Sequence, residues 1–97
     1  MEINTIPEAF QTKLRIAVIS GLLSGKKTFR ELKDITGATD GNLGAQLSKL
    51  ESLGYLSVSK EFVMRKPQTT YELTELGIAY FKEYVAMLEK LLRNSHL

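Results

Sequence analysis

Few side chains in this sequence have the chemistry of an active site. The chain has no cysteine, and its single histidine, His96, is the second residue from the end, where chains usually fray. Cys–His and Ser–His nucleophile pairs therefore lack a partner, and so do metal sites built from His and Cys. The glycines form no phosphate-binding motif of the type GxGxxG or GxxxxGK. We expect no catalytic residue, no metal site and no cofactor; only a carboxylate-only active site stays formally open.

The polar side chains that remain are better suited to binding a polyanion. The net charge of the 97 residues is only +2, but the stretch from Lys26 to Lys66 holds eight basic and five acidic residues. A basic middle with nearly neutral flanks fits a surface that binds nucleic acid. On charge alone, an ordinary solvated surface explains the pattern equally well.

A predicted helix within this basic stretch carries side chains that could contact DNA bases. Thr39 or Asp40 is expected to cap its start, and Gly54 is expected to end it. Its apolar stripe consists of Leu43, Leu47, Leu50 and Leu53. With Thr39, the opposite face supplies the candidate DNA-binding residues Asn42, Ala45, Gln46 and Lys49. Asn and Gln pair with adenine N6 and N7, and Lys suits guanine or phosphate. The same residues are also ordinary on an exposed helix.

A helix-turn-helix is predicted around this element. Thr28 and Glu31 have the spacing of a capping box for a short preceding helix, and Gly37 suits the left-handed residue that follows that helix. The connection to the next helix is only two or three residues long, which is typical of a helix-turn-helix. Arg30 and Lys33 on the preceding helix could contact the DNA backbone, or they could simply face solvent.

The chain before residue 28 predicts one more helix, which is apolar on two sides. Pro7 and Glu8 suit its first turn, and Gly25 suits its end. One stripe contains Leu14 and Val18, and the second is formed by Ile16, Ile19 and Leu23. A helix of this kind packs against its own domain and against something else.

A β-hairpin with a charged tip is predicted after the third helix, because the hydrophobic period changes from 3.6 to 2. Its strands are joined by Val63–Gln68, a basic loop whose Pro67 cannot donate to a ladder. Arg65 and Lys66 at the tip, with Lys60 in the first strand, are candidate contacts to phosphates or to the minor groove. A charged turn that merely discourages aggregation at a sheet edge is the alternative.

The last predicted helix also has two apolar stripes. Thr74 is expected to cap it, and its main stripe repeats with alternating spacings of three and four at Ile78, Phe81, Val85, Leu88 and Leu92. Tyr80, Tyr84 and Leu91 widen this stripe. A chain of this size without disulfides often gains burial by forming oligomers. The expected homodimer interface comprises Leu14, Val18, Ile78, Phe81, Tyr84, Val85, Leu88 and Leu92.

The order of these elements resembles the winged helix-turn-helix of transcription regulators. The run from Asn42 to Leu56 is similar to the "xLxxxLxxLExxGYL" pattern at the recognition helix of MarR-like and ArsR-like proteins. The run from Lys60 to Gly77 is similar to the "KxF…RxPxTxYxLTxxG" ending of a compact subgroup of about a hundred residues. The resemblance implies a homodimer that binds operator DNA, with the recognition helix in the major groove and the wing on the backbone or minor groove. The alternative function is a winged-helix protein-interaction module that does not bind DNA.

One departure from the family pattern concerns the middle of the recognition helix. Family members often carry Ser, Arg or His where this chain has Gly44 and Ala45, so direct base contacts must be fewer. Gly44 costs about 1 kcal/mol of helix stability relative to alanine. A close approach of the backbone to a ligand would explain it, and so would a tight helix crossing.

The expected architecture is therefore α+β, mainly helical with a small hairpin. A single domain spans 1–97, with the helix-turn-helix at about 28–53, the wing at about 55–73 and a C-terminal dimerisation helix at about 74–93. Neither a signal peptide nor an apolar run long enough for a membrane span is visible, which predicts a cytoplasmic protein. The expected partners are double-stranded DNA and a second copy of the chain. The sequence neither reveals nor excludes a small-molecule effector.

Overall fold

Four α-helices and a three-stranded antiparallel sheet form the computed structural model, which describes residues 1–95. In chain order they are α1 (Lys13–Leu22), β1 (Lys27–Thr28), α2 (Phe29–Thr36), α3 (Asp40–Ser52), β2 (Leu56–Val63), β3 (Lys66–Leu73) and α4 (Glu75–Arg93). This is a winged helix-turn-helix, so the predicted fold class is confirmed. His96, for which fraying is expected, lies outside the described residues.

The first helix is shorter than the sequence predicts. It begins at Lys13 and not at Pro7, because Thr12 has an extended backbone (φ −133°, ψ 145°) and caps the helix with its hydroxyl. Pro7 is also extended and is followed by a single 3-10 turn, Glu8–Phe10. Residues 1–12 therefore form a separate N-terminal segment that precedes α1.

The helix-turn-helix forms as predicted, with a cap at the start of each helix. The Thr28 hydroxyl accepts from the Glu31 N–H at 3.1 Å, and the Glu31 carboxylate accepts from the Thr28 N–H at 3.1 Å. The hydrogen bond from the Thr28 N–H to the carboxylate is the main cause that lowers the pKa of Glu31. Gly37 (φ 69°) ends α2, and the Thr39 hydroxyl caps α3 by accepting from the Asn42 N–H. These caps and Gly37 limit the connection between α2 and α3 to three residues.

The sheet has one strand more than the sequence predicts. β1 pairs with the middle strand β3, in which Thr28 lies opposite Thr70 and Lys27 opposite Tyr71. A strand of two residues is too short to show a period of 2, which is why the pattern missed it. Because Thr28 is also the cap of α2, this pairing attaches the start of α2 to the sheet.

The wing, defined here as β2, β3 and the turn between them, is tighter than predicted. Met64 and Arg65 alone form its turn, so the expected loop Val63–Gln68 is wrong. Pro67 lies inside β3, opposite Phe62. In a two-residue hairpin this second pair is not hydrogen-bonded, so the missing N–H of Pro67 costs the ladder nothing.

The core is centred on the leucine stripe of α3. Leu43, Leu47 and Leu50 are buried as predicted, and Leu53 is half-buried. They pack with Val18, Ile19, Leu22, Leu32, Tyr55, Leu56 and Leu73. The N-terminal segment adds Phe10, whose ring stacks on that of Tyr84 in α4 with centroids 4.7 Å apart. The segment therefore links α4 to the rest of the core.

The end of α3, the base of the wing and the start of α4 meet at one backbone junction. The Thr74 hydroxyl donates to the Gly54 carbonyl at 2.6 Å and accepts from the Gly77 N–H at 3.0 Å. The Thr74 N–H donates to the Tyr55 carbonyl at 3.0 Å. Burial raises the pKa of the Tyr55 phenol, and nearby Tyr80 and Glu83 raise it further.

Gly77 fits this junction because it has no side chain. A Cβ built on Gly77 would lie 2.5 Å from the Tyr55 carbonyl oxygen and 3.2 Å from its Cα. Both atoms belong to backbone that the Thr74 hydrogen bond holds in place. A larger residue at this position therefore forces the backbone of the junction to shift.

We expect Gly77→Ala to destabilise the protein by about 1–3 kcal/mol, because overpacking outweighs the helix propensity of alanine. For a domain of this size, the melting temperature should fall by at least about 4 °C. Thermal unfolding followed by circular dichroism at one fixed protein concentration measures the change.

Gly44→Ala is the matched control, because Gly44 is also helical but, apart from its chain neighbours and its own helix backbone, has no described atom within 4 Å of the place where the alanine methyl group would lie. It should stabilise the protein by about 0.5–1 kcal/mol through helix propensity. Equal melting temperatures for the two variants would contradict the close approach at Tyr55.

Candidate nucleic-acid interface

A cleft of about 790 Å³ separates the start of the helix-turn-helix from the wing. It is lined by Thr28, Phe29, Arg30, Lys33, Asp40, Val63, Met64, Lys66, Pro67, Gln68 and Thr69. Its charged groups are three cations and one carboxylate. The carboxylate, Asp40, lies 2.7 Å from the Lys33 ammonium, while Arg30 contacts Asp34 only at 3.9 Å. The cleft therefore has a net positive charge, and Arg30 remains largely exposed.

The helix starts add to this positive potential. α2 and α3 both begin at the cleft, where Thr28, Phe29 and Asp40 are among its lining residues. The unpaired N–H groups of a helix start carry partial positive charge and attract anions. The geometry thus brings together two helix starts and three basic side chains. Glu31 and Asp40 in the first turns offset part of this positive charge. Arg30 and Lys66 add to it.

The outer face of α3 is composed of smaller residues than the sequence pattern suggests. Gly41, Ala45, Ser48 and Ser52 are exposed and lie opposite the buried leucines, with Asn42 exposed beside them. Gly41, Ser48 and Ser52 were not predicted as part of this face, because small residues carry little signal beside the larger amides. Apart from its chain neighbours and the backbone of α3, no described atom lies within 4 Å of a Cβ position on Gly44, so a tight helix crossing does not explain this glycine. This face offers close backbone approach and few side-chain donors.

Gln46 lies at the flank of α3 and is half-buried. Its amide oxygen accepts a 2.7 Å hydrogen bond from Nη1 of Arg15, and its nitrogen donates to the Asn42 side-chain oxygen at 3.4 Å. The expectation that Gln46 points freely away from the leucine stripe is therefore wrong. The amphipathic pattern of α1 contained no signal for this contact, because Arg15 and Gln46 are 31 positions apart.

Lys49 is likewise engaged within the chain. Its ammonium lies 2.9 Å from the Glu8 carboxylate of the N-terminal segment. Both side chains are substantially exposed, so the pair contributes little to stability and a phosphate could replace the carboxylate. The sequence pattern placed Glu8 at a helix start, where its contact to α3 could not be foreseen.

The tip of the wing is strained and exposed. Met64 (φ 52°) and Arg65 (φ 67°) both adopt the left-handed conformation, which costs about 1–2 kcal/mol for a residue other than glycine. Such a turn matches the right-handed twist of the two strands, which keeps the hairpin regular up to its tip. Arg65 and Lys66 are exposed there, and Lys60 is exposed further down β2. Three of the predicted cations are therefore on the wing, although only Lys66 lines the cleft.

Apolar side chains at the wing tip were not singled out by the sequence. Phe62 is 80% exposed and Met64 is 91% exposed, and Val63 beside them is 41% exposed. The alternation of Leu56, Val58 and Phe62 predicts that Phe62 lies on the buried face of its strand, and this prediction is wrong. The hairpin extends beyond the core after Val58, so the pattern continues where nothing covers it.

A second surface lies along α4. Ile78, Leu88 and Leu92 from the predicted interface are exposed, and so are Leu76 and Leu91. Phe81, Tyr84, Val85 and Leu14 are half-buried within their own chain. Val18 is 0% exposed and belongs to the core, so its assignment to a dimer interface is wrong.

No helix in residues 1–95 has the length and apolar character needed to cross a membrane.

Comparisons with known proteins agree with this architecture. The family model of the winged helix DNA-binding domain matches residues 14–92. An uncharacterised protein of Methanocaldococcus jannaschii is 31% identical over 87 residues, which cover 88% of this chain and 94% of that protein. The matched range includes the helix-turn-helix, the wing and almost all of α4.

Several solved structures share the fold. A protein described as a MarR-family transcriptional regulator from Enterococcus faecalis superposes with a TM-score of 0.79 at 23% identity, over 90% of this chain and 79% of that one. A transcriptional regulator homologue from Pyrococcus horikoshii gives 0.79 at 25% identity, over 87% and 84% of the two chains. A homodimeric winged helix-turn-helix DNA-binding domain from Mycobacterium bovis, described as ArsR-like, gives 0.75 at 19% identity, over 92% and 80%. With its family model matching most of the chain, the protein belongs to the winged helix DNA-binding domain family.

Proposed function

We propose that the protein is a homodimeric transcriptional regulator that binds double-stranded DNA sequence-specifically. The observation that carries the proposal is the positive cleft between the helix-turn-helix and the wing, with two helix starts opening into it. A phosphate chain that follows the cleft would leave α3 beside the major groove, which is about 12 Å wide and admits one helix. The wing would then reach the backbone or the adjacent minor groove.

Each part of this surface would have a separate task. Lys33, Lys66 and Arg65 would contact phosphates, which supply affinity without sequence information. The small outer face of α3 would allow its backbone to approach the base edges closely. Thr39, Asn42, Ala45, Gln46, Lys49 and Lys60 are the other proposed DNA contacts. Among those on α3, Asn42 is the exposed side chain with the most hydrogen-bonding capacity.

Dimerisation would use the apolar face of α4. Ile78, Leu88 and Leu92 are uncovered apolar side chains in the single chain, and Leu92 is 65% exposed. Exposed apolar surface of this kind marks interaction sites. A dimer would also present two α3 helices, as two-fold symmetric operators require. The homodimeric domain from Mycobacterium bovis with the same fold supports this arrangement.

A protein-interaction module is the second candidate function, because Phe62 and Met64 are exposed at the wing tip. Apolar groups of this size are common in protein interfaces. Titration with a random-sequence DNA duplex separates the two functions. A DNA-binding protein binds it with a steep salt dependence, whereas an interaction module shows no binding at low salt.

We expect Arg65→Ala combined with Lys66→Ala to weaken binding to all DNA sequences by similar factors. Each neutralised phosphate contributes about −0.9 to the slope of log K against log salt. The slope should therefore become shallower by about 1–2 units per subunit. Fluorescence anisotropy with a labelled duplex at four or more salt concentrations measures it.

Lys82→Ala combined with Lys90→Ala is the matched control, because it removes the same charge from exposed positions of α4. Its slope should equal that of the unmodified protein. If the wing variant also gave an unchanged slope, the wing would make no contact with phosphates.

We expect Leu88→Lys combined with Leu92→Glu to produce monomers that bind DNA weakly. Both side chains are exposed in the single chain, so the fold should persist, and the new charges form a helical i, i+4 pair. Sedimentation velocity at micromolar concentration and circular dichroism check the two statements.

Met64→Lys is the control for this prediction, since it introduces a charge at a more exposed apolar residue away from α4. It should leave the dimer intact. A monomeric unmodified protein at micromolar concentration would show that α4 is not a dimer interface.

A further inference from the structure

The side chain of Arg15 is buried against the recognition helix. It is 9% exposed, and Nε and Nη2 donate to the Glu8 carbonyl at 3.2 and 2.9 Å. Nη1 donates to the Gln46 amide oxygen at 2.7 Å. None of the ion pairs within residues 1–95 involves Arg15, so these oxygens are what compensates its burial.

This contact determines which way the Gln46 amide faces. A guanidinium has five N–H donors and no acceptor, so only the oxygen of Gln46 can point at Arg15. The reversed amide would place two donors against each other and leave Nη1 of the buried guanidinium without an acceptor, which is costly. The nitrogen of Gln46 therefore points away from Arg15, along α3.

Because the Gln46 nitrogen can only donate, it also fixes the direction of the next hydrogen bond, on the exposed face of α3. Nε2 of Gln46 donates to Oδ1 of Asn42, one helical turn earlier, at 3.4 Å. With its oxygen occupied, the Asn42 amide leaves its two Nδ2–H groups free, and Asn42 is exposed. A relay of two hydrogen bonds thus connects a buried cation to a side chain on the outer face of α3.

We propose that Arg15 is a positioning residue which makes Asn42 a hydrogen-bond donor to the bases and thereby selects guanine. This inference rests on the proposed function, in which α3 enters the major groove. Guanine presents two neighbouring acceptors there, N7 and O6, whereas cytosine presents a donor. The bidentate pairing of Asn with adenine needs the Asn42 oxygen as well, and Gln46 already uses one of its two lone pairs and so competes with adenine for that oxygen. The expectation that Asn42 and Gln46 both read adenine is replaced by this assignment.

Gln46→Glu is the decisive variant, because it reverses the hydrogen bond to Asn42 and keeps the hydrogen bond from Arg15. A carboxylate still accepts from Arg15, so the fold should persist. It cannot donate to Asn42, whose nitrogen then turns toward the carboxylate and leaves Oδ1 free. Asn42 should then favour a base with an amino group in the major groove, which is adenine or cytosine.

The experiment selects bound duplexes from random DNA with the unmodified protein and with each variant. The position that loses its preference in Asn42→Ala identifies the base read by Asn42. There the unmodified protein and Arg15→Lys, which retains donors, should prefer guanine about tenfold. Gln46→Glu should replace guanine by adenine or cytosine. Overall affinity is not the readout, because the new negative charge lowers it for every sequence.

Arg15→Met supplies a second test. It removes the anchor while retaining a long apolar side chain, so either orientation of Gln46 becomes accessible and the guanine preference should fall by at least about fivefold. Circular dichroism shows whether the variant is folded, and Gln46→Glu decides the question if it is not.

The outcomes separate the inference from the function on which it rests. Failure of the unmodified protein to bind or select DNA overturns the proposed function together with the inference. Selection with guanine retained in Gln46→Glu overturns the inference alone, and so does a selected sequence that Asn42→Ala leaves unchanged.

Discussion

The close contact between Gly77 and the backbone of Tyr55 sets the relative positions of α3, the wing and α4. α3 ends, the wing begins and α4 starts within this junction, where Thr74 bonds to Gly54, Tyr55 and Gly77. Because the neighbour of Gly77 is backbone, the junction has no flexible atom that could adapt to a larger residue. The angle between α3 and α4, the helix that would pair two subunits, is therefore set by main-chain packing.

A buried charge imposes the second constraint. Arg15 needs acceptors, and it obtains them from the carbonyl of Glu8 and the amide of Gln46. The Glu8 carbonyl also accepts from the Gln11 N–H at 3.1 Å within the 3-10 turn of the N-terminal segment, so it serves both the backbone and Arg15. The chain departs from helix at Thr12, and the turn before it places this carbonyl against Arg15, where it offsets the cost of burying the guanidinium. The same segment contributes Phe10 to the contact with α4, so one short stretch of chain touches both α3 and α4.

How much the sequence reveals depends on the range of the interaction. Caps at Thr28, Thr39 and Thr74 and the leucine stripe of α3 were predictable, because they depend on neighbours within four residues. The start of α1 was not predictable. Pro7 followed by Glu8 favours a helix start locally, but α1 begins only after Thr12, whose hydroxyl caps it. β1 is too short to carry a pattern. The candidate site divides in the same way: its cations and exposed amides are visible as residue types, whereas the Arg15 contact joins residues 31 positions apart.

The distribution of polar groups also implies which parts of the surface would supply affinity for DNA and which would supply sequence selectivity. Most of the outer face of α3 is Gly, Ala and Ser, which offer few hydrogen bonds to bases. Affinity must then come largely from the cations of the cleft and wing, and this contribution is independent of sequence and sensitive to salt. Selectivity would depend on few side chains, so the orientation of each matters more than on a helix crowded with long polar residues. A buried arginine that fixes the polarity of an exposed amide meets that need, because the polar contacts which hold it are made by the protein itself before any DNA arrives.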